Sequence, residues 1–106
     1  MRSRIYRVDK FRVPAWSRSE FVERVDRIHD RLRAVPGFVL DAVLEQADGH
    51  GQFRFVTVVV WESRDAIEAA RAALVADRNA TGFTRQEILF RFGVEADFGS
   101  YRELTP

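Results

Sequence analysis

Polar and apolar residues alternate from Arg4 to Val13. Ile5, Arg7, Asp9, Phe11 and Val13 fall in one phase, and Tyr6, Val8, Lys10 and Arg12 in the other. A period of two predicts a strand, and Pro14 ends it because proline has no N–H for a ladder. The period then lengthens. Phe21, Val25, Ile28, Leu32 and Val35 recur at helical spacing and predict a helix with one buried stripe. In front of it, Ser17-Arg18-Ser19-Glu20 fits a capping box, and Trp16 with Phe21 has the spacing of a hydrophobic staple. Glu20/Arg24 and Glu23/Arg27 supply i,i+4 pairs on the outer side, each contributing about 0.3 kcal/mol. Pro36-Gly37 closes the helix.

A second strand is predicted from Phe38 to Gln46 and a third from Gln52 to Trp61. The turn chemistry of Asp48-Gly49-His50-Gly51 makes them a hairpin. Ser63 caps a second helix of about three turns, ended by Asn79 to Gly82. It carries alanine at positions 66, 69, 70, 72, 73 and 76, so it can sit close on a sheet. Thr84-Arg85-Gln86-Glu87 is a second capping box, opening a short helix through Ile88, Leu89 and Phe92 that Gly93 stops. Glu95 to Leu104 reads as a last strand. The order βαββααβ predicts an α+β fold, one antiparallel sheet with helices on one face.

The third strand is apolar in both phases: Phe53, Phe55, Thr57, Val59 and Trp61 on one side, Val56, Val58 and Val60 on the other. Strands of that kind are buried on both faces. The helices cover one face only. The second strand adds Phe38, Leu40, Ala42 and Leu44 in a single phase. The expected cover for the open face is the same face of a second copy, a homodimer of stacked sheets.

Composition narrows the function. The 106 residues are 46% hydrophobic and 31% charged, the balance of a globular domain, and they are read as a single domain over 1–106. The net charge of +1 argues against wrapping nucleic acid or coating an anionic membrane. There is no cysteine, which excludes disulfides, thiolate metal sites and cysteine nucleophiles; with only His29 and His50, no metal site is expected. The longest apolar stretch, Val56 to Trp61, is far short of the ~20 residues of a spanning helix, and a cytoplasmic address is expected. Ile5-Tyr6 and Phe53-Arg54-Phe55-Val56 echo the aromatic motifs of RNA-recognition domains, but the basic residue and glycine that open the longer motif are misplaced.

Val35-Pro36-Gly37-Phe38, then Trp61-Glu62-Ser63 followed directly by the alanine-rich helix, are similar to the antibiotic biosynthesis monooxygenase family of the dimeric α/β-barrel superfamily. The resemblance implies a ferredoxin-like subunit that pairs sheet to sheet. It also implies cofactor-independent oxygenation of a small phenolic or quinol substrate, with no metal or flavin. The haem-degrading members are similar in layout, but their first-strand asparagine falls at Asp9, and their second-helix tryptophan and histidine fall at Ala70 and Ala80. The family's phenol oxygenases have a pocket tryptophan that Trp61 matches, and an asparagine four residues earlier that is Thr57 here.

If that face of the sheet forms the pocket, parity brings Arg7, Asp9 and Phe11 onto it with Phe55, Thr57 and Trp61. A five-residue hairpin loop would pair Asp41 with Thr57 and Glu45 with Phe53. Asp9 or Asp41 would then take a phenol proton, Arg7 would hold the oxyanion, and Trp61 would hold the ring. Each residue has a plainer role as well: Arg7 and Asp9 as a solvated ion pair, Trp61 as core, His50 as an exposed turn residue. His29 is either a flank residue of the first helix or a general base reaching the cleft. A non-catalytic dimeric small-molecule-binding domain of the same fold is the alternative to an enzyme.

Overall fold

The structure is a computed structural model and describes residues 4–47, 51–81 and 85–104. Four strands form one antiparallel sheet: β1 (Ile5–Pro14), β2 (Phe38–Ala47), β3 (Gln52–Trp61) and β4 (Glu95–Tyr101), in the order β2-β3-β1-β4. A 3-10 turn (Ala15–Ser17) leads into α1 (Arg18–Leu32); α2 (Arg64–Thr81) and α3 (Arg85–Arg91) fill the crossover to β4. The helices pack on one sheet face, and this α+β ferredoxin-like layering leaves a body 44 × 37 × 18 Å. No described helix is long and apolar enough to cross a membrane.

The register confirms the predicted phases. Val13, Phe11, Asp9, Arg7 and Ile5 stand opposite Phe53, Phe55, Thr57, Val59 and Trp61, all on the helix side. The helix-side core has two clusters. One gathers Val13, Phe21, Val25 and Phe55; the other gathers Leu32, Val59, Trp61, Ala66 and Ala70. On the open face Leu40, Ala42 and Leu44 lie opposite Val60, Val58 and Val56, with Leu40 and Leu44 50% and 55% exposed.

Several local expectations change. A bulge between Phe38 and Leu40 inserts Val39, so Phe38 does not share the phase of Leu40. It turns to the helix side and meets Trp61 edge-on, ring centroids 5.8 Å apart. The buried stripe of α1 is Phe21, Val25, His29 and Leu32; Ile28 is 37% exposed. Ser17 does not use its side chain as a cap. Its hydroxyl donates to the Phe92 carbonyl at 2.7 Å, because the preceding 3-10 turn leaves it buried against the end of α3. Trp16 stays largely exposed beside Gly93, and Phe21 packs edge-on with Phe11. Ser63 does cap: the Ala66 N–H donates to its Oγ at 3.2 Å.

Helix α2 runs on through Asn79 to Thr81, since weak helix formers cost only about 0.5 kcal/mol each. Helix α3 ends in a Schellman arrangement. Val94 N–H bonds to Leu89 O, Gly93 N–H bonds to Phe90 O, and Gly93 takes φ +65°. β4 stops at Tyr101, short of Leu104. The Asp48-Gly49-His50 turn and the Thr84 cap lie outside the described residues.

Candidate functional site

Polar side chains interrupt the helix-side core between its two clusters. On β3, Thr57 lies between Phe55 of one cluster and Val59 of the other, and is 5% exposed. On α1, His29 lies between Val25 and Leu32 in the same way, also 5% exposed. Asp9 is the β1 partner of Thr57. A polar group taken out of water costs free energy unless it is bonded, so the partners of this seam define its chemistry.

Asp9 accepts from Arg7 Nη2 at 3.2 Å, and Arg7 Nη1 donates to Ser100 Oγ on β4 at 2.8 Å. The Arg7 and Asp9 side chains are about one-fifth exposed, with Phe98 opposite Asp9 on β4. Arg7, Asp9, Thr57, Phe11 and Phe55 are therefore contiguous on one face.

Asp41 is placed differently. The hairpin pairs it with Val59, not Thr57, and Glu45 with Phe55, not Phe53. The shift is two residues, which keeps both carboxylates on the helix side. There Asp41 meets α1. Its Oδ2 lies 2.8 Å from His29 Nδ1 and accepts from Arg33 Nη2 at 2.8 Å, and Arg33 Nη1 also donates to Asp30 at 2.7 Å. Glu45 is gripped by both ends of the Arg18 guanidinium, which stacks 5.0 Å over the Phe53 ring.

Burial alone would raise the Asp41 carboxyl, but the hydrogen bonds from Arg33 and His29, with their charges, outweigh it and hold it below the ordinary carboxylate value. A depressed folded pKa stabilises the fold above the unfolded value of about 3.9, and that stabilisation is lost as pH falls through the folded pKa. Asp41→Asn is therefore expected to narrow its stability gap to wild type in urea melts as pH drops from 6 to 3. A gap independent of pH would mean that the carboxylate charge adds nothing to the fold.

Trp61 is 2% exposed and wedged among Leu32, Val59, Ala66 and Ala70, with Phe38 against its edge. It forms core at the floor of the second cluster. A depression of about 510 Å³ lies at the far end of the open face around Lys10, Arg12, Leu44, Arg54 and Asp97, and reaches Phe11, Glu45 and Phe55. Among the described residues no three His, Asp or Glu side chains gather as a metal site would. Reading the sequence undervalued His29. Its signal was present: it stands four residues after Val25 and three before Leu32, inside the buried stripe.

The family model for antibiotic biosynthesis monooxygenase matches residues 4–75. The chain belongs to this family. No curated sequence matches it significantly. Among solved structures, the chain is similar to SnoaB, a cofactor-independent oxygenase from Streptomyces nogalater. The TM-score is 0.71 at 22% identity, covering 98% of this chain and 96% of that one. It is similar to a variant of MhuD with two manganese protoporphyrin IX bound per active site, with TM-score 0.69, 18% identity and 96% of each chain covered. A dimeric ferredoxin-like protein from an uncultured marine organism gives TM-score 0.65 at 11% identity over 98% of each chain. Across the family match, the residues of the seam on β1, α1, β2 and β3 all fall inside the matched range.

Proposed function

We propose that this family member is a cofactor-independent monooxygenase of a small phenolic or quinol substrate. The observation that carries the reading is the polar seam on an otherwise apolar, helix-covered face: Thr57 beside Asp9, with Arg7 bonded to Asp9 at 3.2 Å. Small-ligand sites combine apolar walls with a few convergent polar groups. Asp9 takes the ring hydroxyl's proton, and Arg7 holds the resulting oxyanion. Phe11, Phe55 and Thr57 bound the ring, while Trp61 stays in the core of the second cluster and does not touch it. One atom of dioxygen enters the ring as a carbonyl. The other leaves as water with two hydrogens from the substrate, so the substrate itself is the reductant. Asp41, tied to Arg33 and His29, orients rather than accepts, because a carboxylate held below its usual range is a weak base.

The same reading seats a second copy on the open sheet face, and takes the protein as cytoplasmic. SnoaB, similar in fold, is a cofactor-independent oxygenase, which supports the reading. The dense packing of Trp61 favours a rival, a non-catalytic dimeric small-molecule-binding domain. Oxygen uptake with a panel of dihydroxynaphthalenes and quinols separates the two: binding without uptake leaves only the rival. Asp9→Asn is expected to abolish uptake while leaving the melting temperature nearly unchanged. A loss of about 1–3 kcal/mol with uptake intact would make the Arg7–Asp9 pair structural.

A further inference from the structure

Arg7 is held from two sides. Its Nη2 donates to the Asp9 carboxylate on its own strand at 3.2 Å, and its Nη1 donates to Ser100 Oγ on β4 at 2.8 Å. Ser100 reaches it because the β1–β4 register sets the two residues directly opposite, both on the helix side. The next β4 residues in that phase, Phe98 and Ala96, stand opposite Asp9 and Phe11. Exposure grows along the seam towards this margin. Thr57 is buried, the Asp9 and Arg7 side chains are about one-fifth exposed, and Ser100 is exposed. Among the described residues, this polar row thus meets solvent beside β4.

The two holds on Arg7 differ in kind. Asp9 is a charge, and in the monooxygenase reading it takes the ring hydroxyl's proton. Once protonated it offers Arg7 only a neutral oxygen, and a bond between an arginine and a charged acceptor is roughly twice as strong as one between neutral groups. Ser100 stays neutral and accepts with a lone pair that the proton transfer leaves alone. The guanidinium keeps its charge throughout. When the oxyanion forms, the Asp9 hold weakens and the Ser100 hold remains.

We propose that Ser100 is a positioning residue of this site, fixing Arg7 against the oxyanion while Asp9 loses its charge. The proposal rests on the monooxygenase reading above. The step is a single proton transfer. The substrate O–H bond breaks, its electron pair stays on the oxygen, and the proton bonds to the Asp9 carboxylate. Ser100 acts through Arg7 and does not touch the reacting atoms. A donor already aimed at the place where charge develops needs no reorganisation when the charge appears, which is why the hold bears on rate. The charged groups facing this step are Arg7 and Asp9 on β1; Asp41, bonded to Arg33 and His29, is set off across Val59 on β2.

The test uses the intact protein with Ser100→Ala and Ser100→Thr, each also made in an Arg7→Gln background. Under nitrogen, 1-naphthol bound to the protein is titrated, with naphtholate read by its absorbance. In air, kcat and KM are taken from oxygen uptake with the fastest compound of the dihydroxynaphthalene and quinol panel. Ser100→Ala is expected to raise the apparent pKa of bound naphthol by about one unit and to lower kcat about tenfold, the size of one hydrogen bond to a charged group. KM and the melting temperature should stay as in wild type, and Ser100→Thr, which keeps the hydroxyl, should restore both readouts. In the Arg7→Gln background Ser100→Ala should have no further effect, since the residue it positions is gone. An unshifted naphthol titration with unchanged kcat overturns the proposal and leaves the monooxygenase reading standing. So does a full Ser100→Ala effect without Arg7, a rise in KM alone, or a loss that Ser100→Thr fails to restore. Wild-type protein that neither binds naphthol nor takes up oxygen with the panel overturns that reading, and the proposal with it.

Discussion

Val58→Arg is expected to abolish the native assembly, giving either a monomer or an unfolded chain. Val58 sits at the centre of the open sheet face, with Ala42 and Val8 as its cross-strand partners and Val56 and Val60 beside it in phase. If a second copy covers this face, the substitution buries an unpaired charge, which costs several kcal/mol. If the face stays in water, an exposed substitution costs no more than about 0.5 kcal/mol. The two cases differ enough for light scattering and a thermal melt to separate them. A wild-type monomer at micromolar concentration, or a Val58→Arg protein that melts like wild type at unchanged mass, would remove the sheet-to-sheet dimer. The apolar character of the face would then need another cover.

The second large effect is expected at Gly37. This residue has φ +94°, where a side chain is strained, and a Cβ there would overlap Cβ of Ala66 at the start of α2. Its carbonyl also accepts the Glu62 N–H at 2.8 Å, tying the entry of β2 to the exit of β3. Gly37→Ala therefore combines backbone strain with overpacking and should cost roughly 2–4 kcal/mol in urea unfolding. Gly51→Ala is the control. Gly51 has φ +74° but open space around it, so only the backbone part, about 1–2 kcal/mol, should be lost. Equal losses at the two sites would mean that α2 yields to the added methyl. The same contact explains the alanine at position 66: helix and strand entry meet where neither can carry a larger side chain.

Strand phases and helix stripes carried most of the architecture, because burial on one face imposes a period that the residues display. The alternation around Thr57 places Asp9, Arg7 and Phe11 on the helix side, where the register puts them. Two features left no mark of that kind. Phe38-Val39-Leu40 is apolar throughout, so the bulge that turns Phe38 inward costs no burial and leaves the pattern unbroken. The hairpin register differs from the expected one by two residues, a shift that preserves every side chain's face and so escapes any hydrophobic criterion. That shift is what carries Asp41 away from Thr57 to His29 and Arg33. The His29–Asp41 bond joins residues on two elements, and only their packing could reveal it.

The bulge at Val39 has a further consequence for how this chain behaves at high concentration. β2 and β4 are the margins of the sheet, where unpaired N–H and C=O groups could recruit a foreign strand. At the β2 margin the bulge breaks the regular spacing of those groups, and the two acids of that strand are clamped by Arg18 and Arg33 from α1. A strand approaching this border meets a kinked backbone and fixed charges, a poor template for continuous pairing. Edgewise growth, which has no natural end, is thereby disfavoured at this margin.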